Sequence, residues 1–128
     1  MIKRICLCVL GLYPLQSVAD PSLECSNAGS QVEVGACVTQ AAERVEVALS
    51  IAQEIAMGSA QELDEVTGRS AAVPAMEAAE EAWSAYREAQ CNAVGASFGG
   101  GSGTGIAIQS CRIELGRDRI KELMDMAQ

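Results

Sequence analysis

The sequence predicts an all-α fold: a small antiparallel bundle of three long helices plus a short one, stapled by two disulfides. Three observations carry that expectation. Apolar residues recur at steps of three and four over long stretches, the spacing of one helix face. No alternating strand pattern extends beyond four positions. Aromatic residues are 3% of a chain that is 49% hydrophobic, so the core is made of small side chains, which suit close helix packing better than a β-sandwich. The 128 residues are enough for one domain and too few for two.

Residues 1–19 read as an address. Lys3 and Arg4 form a positive start, Ile5 to Leu12 an uncharged apolar stretch, and Ser17-Val18-Ala19 a small-residue cleavage site, so a secretory signal is expected to be removed before Asp20. The apolar run is broken by Pro14 and falls short of the ~20 residues a membrane span needs. No transmembrane segment is expected after cleavage. Removal takes away two basic residues and no acidic one, so the formal charge of -8 becomes -10 on a single domain, residues 20–128. Cys6 and Cys8 leave as well, and Cys25, Cys37, Cys91 and Cys111 remain. An even number of cysteines in an oxidising compartment points to two disulfides. Three pairings are open, and chain proximity favours Cys25 with Cys37 and Cys91 with Cys111.

Asp20 to Gly29, with Pro21, Asn27 and Gly29, reads as an extended lead-in. Ser30 and Glu33 have capping-box spacing. Val34, Val38, Ala41, Val45, Ala48, Ala52 and Ile55 then form one stripe, a long helix expected to end at Gly58. Ser59 and Glu62 repeat the capping spacing ahead of a short or irregular helix that meets Gly68. Pro74 suits a first helical turn, and Met76, Ala79, Trp83 and Tyr86 mark a second long helix to about Val94. Gly95 to Gly105 holds six glycines among eleven residues, too many for a regular element. A third long helix starts near Ile106 and carries Ile108, Leu115, Ile120, Leu123 and Met124, with Arg112, Arg117, Arg119 and Lys121.

The chain has no histidine, which removes Ser/His and Cys/His catalytic pairs and the common zinc sites. The cysteine spacings contain no CxxC, so disulfides are favoured over a metal site. The glycine-rich stretch follows a helix and lacks the lysine of a phosphate-binding loop. Glu62, Asp64, Glu65, Glu80 and Glu81 read as solvated helix faces rather than an acid/base pair. The expectation is therefore a protein that is not an enzyme, with no catalytic residue, metal or cofactor. The acidic balance excludes nucleic acid, whose phosphates need Lys and Arg, and suits a cationic partner. Phe98, beside glycines, either pins the loop to the bundle or serves as a partner contact.

Trp83, Arg87 and Cys91 are spaced i, i+4, i+8 on one helix face. The structural reading is a buried Trp, an Arg packed on it with its head at a helix end or carboxylate, and a disulfide.

The order W-x-x-Y-R-x-x-x-C at Trp83 to Cys91, a Gly-Ser loop, and C-x7-R-x3-L at Cys111, Arg119 and Leu123, preceded by Cys25 and Cys37, resembles the LprI-type lysozyme inhibitor domain of secreted bacterial proteins. The chain departs from that pattern where Glu80 replaces a common Gln. It departs again where Glu46, Leu49, Ser50 and Gln53 stand for D-x-x-L-N-x-x-Y. The resemblance implies a periplasmic or secreted helical protein in which Trp83, Tyr86, Arg87, Arg119 and Leu123 are structural. It also implies that the partner is a lysozyme, an enzyme strongly cationic in its animal type; the alternative is a cell-envelope structural or interaction module with no inhibitory activity. Residues 20–110 hold the whole net charge of -10 while residues 111–128 are neutral, so the first two long helices or the loop are expected to face a cationic enzyme. Oligomeric state stays open, since alanine-rich faces pack within one chain or between two.

Overall fold

The computed structural model describes residues 20–128, and the expected signal segment, residues 1–19, lies outside the described residues. The described residues form four helices and no strand: α1 (Pro21–Glu24), α2 (Gln31–Thr67), α3 (Ala72–Ser97) and α4 (Thr104–Met126). Three long helices and a short one are present as expected, but the short one sits elsewhere. The lead-in is a helical turn rather than an extended strap. Asp20 caps it, its carboxylate accepting hydrogen bonds from the Ser22 amide (2.8 Å) and hydroxyl (2.7 Å), and Pro21 supplies a φ already suited to a first helical position. The Cys25–Cys37 disulfide, with a Cα–Cα distance of 5.9 Å, fastens this turn to α2.

Ser30 caps α2, accepting from the Glu33 amide at 3.3 Å, while Glu33 reaches back to the Gly29 amide at 2.7 Å. The helix does not stop at Gly58. It runs on to Thr67 and ends at Gly68, whose φ of 67° is the left-handed conformation that closes a helix. A glycine inside a helix costs about 1 kcal/mol, and nothing lies within 4 Å of where a Gly58 Cβ would be. Packing of Ala56 and Ala60 on either side outweighs that penalty, so the expected separate helix after Ser59 is the last part of α2.

The connection to α3 is held by Asp64. Its carboxylate accepts from the Ala71, Ala72 and Val73 amides at 3.1, 2.8 and 3.1 Å, and these bonds to the charged form hold its carboxyl below the ordinary value. Between α3 and α4, Gly99 and Gly100 have φ of 64° and 81°, which only glycine adopts without strain. The Cys91–Cys111 disulfide, Cα–Cα 5.5 Å, closes this connection at its base.

Helix α4 packs mainly on α2 and also on α3, which touch each other less. The inward face of α2 is Val38, Ala41, Ala42, Val45, Leu49, Ala52, Ala56 and Ala60, a near-regular alternation of four and three. Two expected stripe residues, Ala48 and Ile55, point outward instead. One core cluster gathers Val38, Ala41, Ala42 and Val45 around Ile113, and a second gathers Leu49, Ala52 and Ala56 around Leu123. Ile113 and Leu123 are wholly buried, each contributing about 1.5–3 kcal/mol of hydrophobic stabilisation. Small residues let the axes approach closely: a Cβ on Gly116 would lie 2.6 Å from Val45 Cγ1, and one on Gly95 2.5 Å from Ile108 Cγ1.

Candidate functional site

The sequence places Glu80, Trp83, Arg87 and Cys91 at steps of three and four on α3, and this face turns inward. Arg87 reaches across to both neighbours. Its Nε and Nη2 donate to the Arg112 carbonyl of α4 (3.2 and 2.7 Å), and Nη1 and Nη2 donate to Glu46 of α2 (3.2 and 2.5 Å). Gly116 makes this possible, because its missing side chain leaves the guanidinium room; a Cβ there would stand 3.2 Å from Arg87 Nη2.

Arg119 does the same from α4. Its Nε donates to Glu80 Oε1 at 3.0 Å, Nη2 donates to the same oxygen, and Nη1 donates to Glu122 at 2.9 Å. Gln53 of α2 donates to the other Glu80 oxygen at 2.5 Å. The guanidinium carbons of Arg87 and Arg119 lie 5.2 and 5.9 Å from the Trp83 ring centroid, within cation–π range. Burial works against the Arg119 charge, but the bonds to Glu80 and Glu122 outweigh it and hold its pKa above the ordinary value. The two departures from the family pattern therefore meet: Gln53 bonds Glu80, and Glu46 bonds Arg87. Glu80 is not on a solvated face, its side chain being 18% exposed.

A groove of about 630 Å³ opens beside this seam. The α1 segment, the start of α2, the second half of α3 and the first half of α4 form its walls, and Cys111 lines it next to Ser110. Tyr86 and Phe98 line it and are 54% and 53% exposed. Tyr86, unlike Trp83, lines the groove with half of its surface exposed. Phe98 lies against Gly103, whose Cβ would be 3.6 Å from the ring, and still presents half its surface. Asp20 and Glu114 bring carboxylates to the wall, which contains no Lys or Arg. Burial pushes the Glu114 carboxyl above its ordinary value, and Asp20 and Asp118 push the same way against Arg117. The Ser110 hydroxyl is buried with no hydrogen-bond partner. Arg117 forks onto Glu24 at 2.7 and 2.9 Å, so its charge is already matched.

Residue patterning alone did not single out Asp20, Glu80, Ser110 or Glu114. The three-and-four spacing from Glu80 to Cys91 was the signal available for Glu80. Ser110 and Glu114 stand one turn apart on α4, and Asp20 joins them only through the disulfide-held α1 turn. Among the described residues, no group of three or more His, Cys, Asp or Glu is arranged to hold a metal ion, and no helix is long and apolar enough to cross a membrane.

Among the described residues, the helical fold, the two disulfide staples and the acidic groove define the class: a small disulfide-bonded helical protein with a cleft on its surface. Residues 24–123 match the family described as Lysozyme inhibitor LprI, and the chain belongs to that family. It is also 29% identical over 116 residues, 84% of each chain, to "Uncharacterized protein R02472" of Rhizobium meliloti (strain 1021). No solved structure matches.

Proposed function

We propose that this protein is a secreted or periplasmic binding protein that inhibits a cationic lysozyme by covering its cleft, and that it has no enzymatic activity of its own. Membership of the lysozyme inhibitor family over residues 24–123 carries this reading. Charge supports it. Three of the seven basic residues after Ala19, Arg87, Arg117 and Arg119, are held in ion pairs with four of the 17 acidic residues, and the remaining charged groups are still mostly carboxylates. Such a surface accelerates encounter with a cationic protein and does so most at low salt. Two disulfides fit an oxidising compartment, consistent with signal cleavage before Asp20. In this reading Trp83, Arg87, Arg119 and Leu123 hold the scaffold, and Phe98 and Tyr86 are available to a partner.

The test is lysozyme activity against a titration of the purified chain starting at Asp20, run at low and at physiological salt. Inhibition at micromolar protein or below, weaker at the higher salt, is expected. No inhibition at micromolar protein excludes the lysozymes tried, and capture of a single stoichiometric envelope protein would then favour an interaction module of the cell envelope.

A further inference from the structure

We infer that the groove between the α1 segment, α3 and α4 is a socket for one basic side chain, arginine or lysine, carried on an extended segment of a partner protein, its head at Glu114 and its stem against Tyr86 and Phe98. The inference deepens the proposed function by naming what the groove holds, and it depends on that reading only for the partner's identity.

Charge and ring exposure together favour this occupant. The wall carries Asp20 and Glu114 and no basic residue, so an anion is repelled and a cation attracted. Arg117, which offsets part of the Glu114 charge, already forms an ion pair with Glu24. Two half-exposed rings, Tyr86 and Phe98, offer the aromatic faces on which a guanidinium or an aliphatic stem packs. Ser110, a residue 8% exposed, contributes to the groove wall.

Glu114 adds a reason of energy. It is held partly desolvated beside like charges, an arrangement that weakens the free protein and is relieved when a cation arrives. An apolar occupant would desolvate that carboxylate further with nothing in return. The volume of about 630 Å³ exceeds one side chain and leaves room for flanking backbone, which favours a protein segment over a small free cation. Cleavage before Asp20 would add an α-ammonium beside the Asp20 carboxylate, so Glu114 is the groove carboxylate left to a partner's cation and the residue to vary.

The probe is a capped alanine-arginine-alanine tripeptide, compared with the same peptide carrying uncharged citrulline, titrated into the labelled chain and followed by NMR. Saturable shifts at the Tyr86 and Phe98 rings and the Ala107 and Ser110 amides are expected with arginine and not with citrulline. Glu114→Gln should weaken the response by about tenfold, while Glu81→Gln, an exposed acid on α3 away from the groove, should leave it unchanged. Equal responses to the two peptides, or an unaltered response in Glu114→Gln, overturn the socket. Lysozyme inhibition without a groove response refutes the socket and leaves the proposed function standing. A groove response without inhibition supports the socket and excludes the lysozymes tried as its partner.

Discussion

Replacing Arg119 with methionine tests the seam that ties the three long helices together. Methionine keeps an unbranched stem and deletes the guanidinium. Removing one member of a buried ion pair costs about 3–5 kcal/mol because the other charge is stranded. Glu80 is 18% exposed and keeps its bond from Gln53, and the Glu122 contact is a surface pair, so the expected loss is about 2–3 kcal/mol. Glu80→Gln alone leaves Arg119 its bond to Glu122 and a neutral acceptor, for an expected loss of about 1–2 kcal/mol. The double variant strands no charge and should lose about 2 kcal/mol, well below the sum of the two single losses. Urea unfolding with disulfides intact, followed by circular dichroism and by the fluorescence of Trp83, the only tryptophan, measures all three. A loss below about 1 kcal/mol for Arg119→Met, or strict additivity in the double variant, would refute the coupling of Arg119 and Glu80.

Two glycines should respond oppositely to alanine. Gly116→Ala pushes a Cβ to 2.6 Å from Val45 and crowds Arg87, for an expected loss of about 1–3 kcal/mol, whereas Gly58→Ala meets nothing and should gain about 0.5–1 kcal/mol. Thermal melts of the two variants decide it. Reduction of the disulfides, whose partners are 12 and 20 residues apart, should remove about 3 kcal/mol per bridge in the loop-entropy treatment and lower the Tm markedly; an unchanged melt in reductant contradicts this. The acid response follows from Asp64, whose folded pKa is depressed from 3.8. Its contribution is present above that value and lost as pH falls through the folded pKa, so Asp64→Asn should flatten the decline of stability below about pH 4. Glu114 has the opposite sign: its raised pKa means that the charged form weakens the fold, and Glu114→Gln should raise the Tm at neutral pH.

Much of this architecture was legible from residue types and spacing. Capping at Ser30, the inward Trp83, Arg87 and Cys91 face, the glycine connection and the disulfide pairing all follow from local chemistry that tertiary contacts do not override. The end of α2 was not legible, because Gly58 looks like a stop and only the packing of Ala56 and Ala60 shows otherwise. The inner face of α2 was half legible for a related reason. Ala48 and Leu49 are adjacent and both apolar, and only the position of Leu123 on α4 decides which points inward. Glu80 and Asp64 read as solvated acids since nothing local distinguishes a carboxylate facing water from one facing Arg119 or the free amides of the next helix. The groove was invisible in the same way, its walls coming from four segments joined by a disulfide across a helical turn that composition presents as an extended strap.

Association of the chain from Asp20 with a cationic lysozyme, measured as on- and off-rates over a range of salt concentrations, tests the central claim most directly. A one-to-one complex is predicted, with an on-rate that falls by about tenfold or more from low to physiological salt while the off-rate changes little. No complex at micromolar protein, or an on-rate indifferent to salt, would contradict it.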